Sequence, residues 1–383
     1  MELASEEIRI RVFHKFDSEL KTLWQDLESR AEPYIFQSYF WLSHWQETIG
    51  NESPRTEPSI VLLENSEGPQ ALIPFCLEQR CGVRVLGFLG GDQSDYHCPV
   101  VTKQGKKSLH QPNIWQEIFG VLPKHDVLHI DKIPESFMVE KLLPIQDARC
   151  ILFNHAFATD IPSSWEEFQK GLNSRIKSDS RRQRKRLSER GKLHFENIVP
   201  KSEKSQMAIE TFFKQKRSRF HATGARDTLS VLSSKRFYSD IYHDLEAGNK
   251  VIFSVLWLNE HIIATHLGAV DHERFYFLMP TFSPEWANYS PGRLILEHLI
   301  QWSIEQGLKV FDFTVGEEEY KKAWCNLELK LFEILKARTL IGELYVQSLM
   351  SKRSLKQFLV IVNGVRLTRK WWNSITTKIL KSK

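Results

Sequence analysis

The hydrophobic positions of the first half follow two periods, one typical of strands and one typical of helices. Alternating apolar and polar residues predict a strand at residues 8–13, and short apolar runs predict strands at residues 59–64, 71–77 and 127–130. Apolar residues at helical spacing predict helices near residues 20–31, 39–49 and 114–122. A strand also runs into the glycine pair Gly90 and Gly91 and the polar loop that follows it. Strands therefore outnumber helices, and we expect an α+β fold.

The second half repeats this order. Its pattern predicts helices at residues 204–220, 235–247 and 293–305. Strands are predicted at residues 251–258, 261–270, 274–279 and 309–314. Both halves show the same order of elements: two helices, several strands, a loop, a helix and a strand. This shared order indicates a degenerate internal duplication. We therefore predict lobes at residues 1–160 and 161–345 and a tail at residues 346–383.

Positive charge is concentrated in two segments. Residues 174–192 carry nine Lys and Arg against Asp179 and Glu189, within a stretch at residues 163–191 that we predict to be helical. The tail carries nine of the 52 Lys and Arg and none of the 47 Asp and Glu, so the other residues have a net charge of −4. This distribution argues against a general nucleic-acid binder.

Both basic segments have alternative interpretations. The helix at residues 163–191 fits an RNA-binding face, a solvated surface between lobes, or a docking face for a carrier protein. The tail combines Leu, Ile, Phe and Trp with Lys and Arg, which is typical of a helix lying on a membrane surface. A terminal helix that packs on the second lobe is the other interpretation of the tail.

The cysteine content and the first residues of the sequence indicate the cellular compartment of the protein. The five Cys are odd in number and contain no C-x-x-C pair, so neither a disulfide framework nor a zinc site is predicted, and we expect no metal. The first residues lack the apolar core of a secretory signal. No window approaches the roughly 18 apolar residues of a membrane-spanning helix. We therefore expect a cytoplasmic protein.

An anion site is predicted where the second half's longest helix begins. The segment Tyr289-Ser290-Pro291-Gly292-Arg293 joins a loop to that helix. Ser is a good N-cap and Pro suits the first helical turn. Gly292 allows a ligand close to the backbone, whose free N–H groups and dipole favour phosphate. We expect Arg293 to add a positive charge there, although a well-capped helix explains the same residues.

Four further residues are candidates for catalysis. Asp312 is a carboxylate within an apolar strand, either paired with Lys321 or Arg293 or acting as a base that orients the acceptor. Tyr320 can donate a proton to a leaving thiolate, and Lys321 can bind phosphate or carboxylate. His266 is either a candidate base or a core histidine bonded to the backbone.

These motifs resemble a known family. Tyr289 to Gly292, Phe311-Asp312-Phe313, Gly316, and Tyr320-Lys321 with Trp324 are similar to GNAT-related acetyltransferases of the CelD-like type, which act in cellulose and exopolysaccharide biosynthesis. A more distant resemblance is to the Fem peptidyltransferases. The chain has Gly316-Glu317-Glu318 where the CelD-like family usually has Gly-Asp-Glu.

The resemblance implies two tandem GNAT-like lobes with mixed, mostly antiparallel sheets flanked by helices. It implies transfer of an acyl group, acetyl foremost, from acetyl-CoA or another acyl-CoA to an amine or hydroxyl of a small-molecule or saccharide acceptor. The acceptor would attack directly, without an acyl-enzyme. The alternatives are Fem-like aminoacyl transfer from charged tRNA, and a non-catalytic scaffold in an envelope assembly.

Overall fold

The strands of the protein form one continuous sheet. The computed structural model describes residues 8–52, 56–144, 146–224, 227–244 and 250–355. In these ranges the sheet contains thirteen strands. They are β1 (Arg9–Phe13), β2 (Thr56–Asn65), β3 (Gly68–Arg80), β4 (Val83–Phe88), β5 (Val100–Val101), β6 (Val127–Pro134), β7 (Arg149–Asp160), β8 (Leu193–Asn197), β9 (Val251–Leu258), β10 (His261–Asp271), β11 (Arg274–Phe282), β12 (Val310–Val315) and β13 (Leu327–Ala337).

The strand order repeats itself from the two outer edges inward. The order is β1-β2-β3-β4-β6-β13-β7-β12-β11-β10-β9-β8, with β5 beside β3. In each half four antiparallel neighbours are followed by one parallel strand, β6 beside β4 and β12 beside β11. The predicted α+β class with a mixed, mostly antiparallel sheet is therefore confirmed.

The two central strands are exchanged between the halves. β7 precedes residue 161 in the chain but pairs with β12, whereas β13 comes from the second half and pairs with β6. β7 and β13 are antiparallel to each other over nine register pairs from Leu327–Ala158 to Leu335–Arg149. The hydrogen bonds of the sheet thus run across the predicted lobe boundary without a break.

Helices cover both faces of the sheet. They are α1 (Ser18–Ala31), α2 (Tyr39–Trp45), α3 (Lys103–Leu109), α4 (Ile114–Val121), α5 (Glu135–Val139), α6 (Trp165–Gly171), α7 (Ser174–Ser188), α8 (Glu203–Thr223), α9 (Leu232–His243), α10 (Pro291–Glu305), α11 (Glu319–Lys322) and α12 over residues 340–355. α1, α2, α8 and α9 pack into one core, while α6, α7 and α10 pack into another with Phe311 and Phe313 of β12.

Two predicted helical segments differ in the structure. The basic stretch at residues 163–191 is two helices, because Leu172 is extended and the side chain of Asn173 accepts a hydrogen bond from the Arg175 N–H to start α7. In the tail, the described residues up to 355 are helical, and Val346 packs on Val83, Val85, Val127 and Leu335 of the central sheet. The rest of the predicted tail, residues 356–383, lies outside the described residues.

Candidate active site

The parallel strands of the second half separate at their carboxyl ends. β11 and β12 pair at Arg274–Val310, Phe275–Phe311 and Tyr276–Asp312. Beyond these pairs β11 continues to Phe282 beside β10, while β12 stays beside β7. A gap therefore opens between two neighbouring strands of one sheet. The backbone groups of β11 that face the gap have no partner in β12.

The N-terminus of α10 lies at this gap. Ser290 occupies the N-cap position and Pro291 the first helical position. Ser290 holds the predicted N-cap position, but it has a φ of 52° and its side chain makes no capping hydrogen bond. The Arg293 N–H donates to the Ser290 carbonyl at 3.0 Å, so in this first turn the Gly292 N–H is left for another acceptor. A Cβ on Gly292 would lie 3.2 Å from the Phe282 ring, which keeps this wall tight.

A cavity of about 280 Å³ connects the gap with the helix start. Four of the predicted residues line it: Ser290, Gly292, Arg293 and Tyr320. The remaining lining residues come from α8, β11, the loop before α10, α10 itself and the segment after β12: Arg219, Phe277, Pro280, Phe282, Ala287, Leu296 and Trp324. The walls combine aromatic side chains with two guanidinium groups, which suits a ligand with an apolar arm and a charged end.

Arg293 is not the free charge that the sequence predicts. Its guanidinium pairs with Asp179 of α7, and Asp179 also pairs with Arg182. The Arg293 hydrogen bond lowers the pKa of Asp179, which therefore stays ionised. Arg293 is accordingly held at the cavity wall by a neighbouring helix.

Asp312 lies on the other face of the sheet from α10. Phe311 and Phe313 pack against α10, and strand alternation turns the intervening Asp312 away from it. Asp312 is fully buried and accepts hydrogen bonds from the Tyr96 hydroxyl, the Arg274 guanidinium and the Thr314 N–H, each at 2.8 Å. Burial raises the pKa of Asp312, and Arg274 opposes this effect.

The expected partners of Asp312 are therefore wrong. Its partner is Arg274 rather than Lys321 or Arg293, and its carboxylate does not face the helix start. Its acceptor sites are occupied by protein donors from both halves of the chain. Asp312 is placed to hold the halves together rather than to reach a ligand in the cavity.

Lys321 and Tyr289 are placed beside the cavity rather than in its wall. Lys321 is 3% exposed, donates to the Val315 carbonyl at 2.9 Å and pairs with Glu318 at 2.9 Å. It thereby fixes the loop after β12. The ring of Tyr289 has the guanidinium groups of Arg186 and Arg190 4.6 and 5.1 Å from its centre, so it anchors α7 to the loop before α10.

His266 lies in the core behind the cavity wall. Its ring stacks on Phe277, with 4.5 Å between ring centres, and it is fully buried. Burial lowers the pKa of His266 well below its usual value, so the ring is neutral. The predicted bond to the backbone is wrong, because neither ring nitrogen has a hydrogen-bond partner.

Sequence reasoning missed Lys216, which lies on α8 one turn before the cavity residue Arg219. Its side chain is partly buried, and its amine lies 5.8 Å from the centre of the Phe220 ring. Burial and the nearby Arg219 lower the pKa of Lys216 to about 7, while Glu318 opposes the shift. The spacing of Lys216 and Arg219 on one helical face was the available signal.

Asp95 of the first half also reaches this region. The side chain of Thr314, at the end of β12, hydrogen bonds to Asp95, and Lys132 and Lys321 lie near enough to stabilise the carboxylate. Burial nevertheless raises the pKa of Asp95. Thr314 has a φ of 57°, which is rare for a β-branched residue and marks an irregularity in β12.

Comparison with known proteins assigns the second half. Residues 174–322 match the family model of the acetyltransferase (GNAT) domain. These residues are a GNAT acyltransferase domain. All eight predicted site residues lie inside the matched range, whereas Asp95 and Tyr96 lie outside it.

Solved structures extend the likeness over most of the chain. FemX aligns with a TM-score of 0.60 at 12% identity, covering 84% of this chain and 96% of FemX. A conserved protein of unknown function from Bacteroides thetaiotaomicron VPI-5482 aligns with a TM-score of 0.56 at 11% identity, covering 85% and 99%. At such identities these alignments show the fold alone. No curated protein matches the chain at a significant level of sequence similarity.

A third similar structure is the C-terminal domain (DUF2156) of a putative lysylphosphatidylglycerol synthetase from Agrobacterium fabrum. It aligns with a TM-score of 0.51 at 11% identity, covering 83% of this chain and 91% of that one. The GNAT fold expected from the sequence is thus confirmed, and the enzyme is an acyltransferase by its domain type.

Two kinds of feature are absent from the described residues. None of the helices in those ranges is both long and apolar enough to cross a membrane. No cluster of three or more His, Cys, Asp or Glu in the same ranges is arranged to hold a metal ion. The charged side chains that line the cavity at the β11–β12 gap are Arg219 and Arg293, and Lys216 lies one turn before Arg219 on α8.

Proposed function

We propose that this GNAT protein transfers an acyl group, acetyl foremost, from a coenzyme A thioester to an amine or hydroxyl. We further propose that the acceptor is a small molecule or saccharide of polysaccharide or cell-envelope biosynthesis, as in the CelD-like acetyltransferases. The observation that carries the proposal is the cavity joining the β11–β12 gap to the uncapped start of α10. A coenzyme A thioester has a pantetheine arm and a phosphate end. The aromatic part of this cavity suits the arm, and the helix start with Arg293 suits the phosphates.

The donor would lie with its pyrophosphate at Ser290, Gly292 and Arg293 and its arm along Phe277 and Phe282. The thioester then reaches the gap, where unpaired amides of β11 can stabilise the oxyanion. Tyr320, 39% exposed in the cavity wall, would give its proton to the leaving thiolate. Burial and Glu318 raise the pKa of Tyr320, so the phenol holds that proton at neutral pH.

We propose Lys216 as the base in place of Asp312 and His266. The acceptor nitrogen or oxygen attacks the thioester carbonyl, the new bond to carbon forms, and the C–S bond breaks. The acceptor's proton passes to the Lys216 amine, which a pKa of about 7 leaves partly neutral at physiological pH. Asp95 would orient the acceptor from the first half of the chain.

Direct attack is favoured over an acyl-enzyme. Cys325 is the nearest thiol to the cavity residue Trp324, its neighbour in the chain. Burial raises the pKa of Cys325 to about 12, so the nucleophilic thiolate is scarce at neutral pH. None of the free thiols in the described ranges lines the cavity.

The pH profile of a Lys216 pair of variants tests this mechanism. Turnover of the wild type should rise with pH through about 7, because only the neutral amine accepts a proton. Lys216→Met should lower kcat by roughly 10²- to 10⁴-fold. Lys216→Arg should be equally impaired, because arginine does not release its proton. The control Lys214→Met, exposed on the same helix, should behave as the wild type.

Full activity in Lys216→Arg would show that the position needs only a positive charge. Thiol release should first be measured with a panel of acyl-CoA donors and amine or saccharide acceptors. Calorimetry with acetyl-CoA should show binding to the wild type. Absence of both binding and thiol release would contradict the proposal and favour the scaffold alternative.

Fem-like aminoacyl transfer is a second candidate. Two observations favour it: the alignment with FemX and the basic α7 beside the donor cavity. Charged tRNA would then bind in a salt-dependent manner, and acyl-CoA would not bind to the protein. In the preferred mechanism nucleic acid is not a partner.

We also propose that the protein is cytoplasmic, with peripheral membrane contact through its basic tail. The nine Lys and Arg and the absence of acids in residues 346–383 support contact with anionic lipid. Cosedimentation with anionic vesicles that is abolished by salt would agree with this. Absence of vesicle binding, or binding that resists salt, would contradict it.

A further inference from the structure

A second cavity adjoins the proposed donor site. It has a volume of about 550 Å³ and is lined by Arg175, Ile176, Ser178, Asp179, Arg182 and Arg293. Arg293 also lines the first cavity, so one guanidinium group belongs to both. A ligand held at the start of α10 can therefore continue into this second space.

The lining of the second cavity is strongly cationic. Three guanidinium groups surround it against a single carboxylate. Asp179 pairs with both Arg182 and Arg293 and so holds two of the three guanidiniums in position. Among the described residues no acidic side chain is paired with Arg175. The cavity therefore retains positive charge that the protein itself does not neutralise.

The helices around the cavity add to this field. α7 begins at Ser174 and α10 at Pro291, and an ion pair joins Asp179, in the second turn of α7, to Arg293, in the first turn of α10. The first turn of α7 contains no acidic residue. Two positive helix ends and three guanidiniums thus meet at one site, which suits a doubly charged phosphate.

We propose that the second cavity binds the 3′-phosphate on the ribose of the coenzyme A donor. This inference rests on the proposed function. In coenzyme A the 3′-phosphate lies beyond the pyrophosphate, on the side away from the thioester. The second cavity shares Arg293 with the proposed pyrophosphate site, whereas Phe277 and Phe282 of the proposed arm site line the first cavity and not the second. Arg175 and Arg182 are the residues that would grip the phosphate.

Kinetics with two donors that differ in this phosphate test the inference. The wild type should have a KM for acyl-dephospho-CoA roughly 10- to 100-fold higher than for acyl-CoA, because charge-assisted bonds to one phosphate are lost. The value of kcat should change less than about 2-fold. The double variant Arg175→Gln with Arg182→Gln should use both donors with KM values within about 3-fold.

Arg181→Gln is the matched control, because Arg181 is exposed on the same helix but does not line the cavity. It should retain the wild-type preference for acyl-CoA. Calorimetry of the folded wild type with adenosine 3′,5′-bisphosphate and with 5′-AMP gives an independent measurement. The bisphosphate should bind at least 10-fold more tightly.

The outcomes separate this inference from the proposed function. Equal use of both donors by the wild type would overturn the inference and leave acyl-CoA-dependent transfer intact. Loss of preference in Arg181→Gln would also overturn it, since the effect would then be general surface charge. Turnover with charged tRNA but with neither thioester would overturn both.

Discussion

At the scale of single residues, the carboxylate of Asp312 connects the two halves of the chain. Tyr96, which donates to it, is 216 positions away in sequence, and Arg274 lies 38 positions away. A buried carboxylate is costly unless donors satisfy it, and three donors do so here. Its conspicuous place in an apolar strand therefore has a structural explanation.

Replacing Asp312 should affect the stability of the protein more than its turnover. Asp312→Ala leaves the partly buried Arg274 and the buried Tyr96 hydroxyl without their partner and should lower the free energy of unfolding by about 3 kcal/mol. Asp160→Ala, at the exposed end of β7, should change it by less than about 0.5 kcal/mol. Urea unfolding measures both. An Asp312→Ala protein of wild-type stability that has lost turnover would restore the catalytic interpretation of Asp312.

The residue scale also shows what sequence reasoning could reach. Ser290, Gly292, Arg293 and Tyr320 were predicted from helix-start chemistry and from the family resemblance, and all four line one cavity. Their catalytic and binding roles stay predictions. Lys216 could not be predicted as a base, because its lowered pKa depends chiefly on burial, which only the folded structure creates.

At the scale of elements, the turn after β12 is locked by its own short contacts. Gly316 has a φ of 127°, and a Cβ there would lie 2.4 Å from the Glu318 carboxylate and 3.1 Å from the Lys321 amine. Lys321 in turn binds the Val315 carbonyl and Glu318. The turn that presents Tyr320 to the cavity therefore requires a residue without a side chain at position 316.

Two glycine substitutions compare this turn with an open site. Gly316→Ala should destabilise the protein by about 1–3 kcal/mol, through backbone strain and the clash with Glu318. It should also lower turnover by displacing Tyr320. Gly120→Ala, in α4 where a Cβ meets nothing within 4 Å, should stabilise by about 0.5–1 kcal/mol. Thermal unfolding measures the stability changes, and thiol release measures turnover. Equal stability changes in the two variants would contradict the requirement for glycine at position 316.

At the scale of the whole molecule, the exchange of β7 and β13 joins the halves more tightly than a linker would. Each half supplies a central strand to the neighbourhood of the other half's parallel strand. The predicted lobes at residues 1–160 and 161–345 remain a prediction, since no separate unit is delimited by the sheet. The tail boundary at residue 346 falls inside α12.

The exchange predicts cooperative unfolding of both halves. In urea, tryptophan fluorescence and far-ultraviolet circular dichroism should follow one coincident transition, because neither half completes its sheet alone. Buried tryptophans in both halves, such as Trp24 and Trp324, report on each part. Two resolved transitions would show that the halves are stable separately and that the exchanged strands add little.

The sequence by itself determined the features that depend on near neighbours. Periodicity located α8, α10 and β9 to within a few residues, and the Ser-Pro-Gly-Arg run marked the helix start at the donor cavity. Only the tertiary structure decided the exchange of β7 and β13, the partner of Asp312 and the environment of Lys216. These features depend on groups that are distant along the chain and become neighbours only when the sheet has formed.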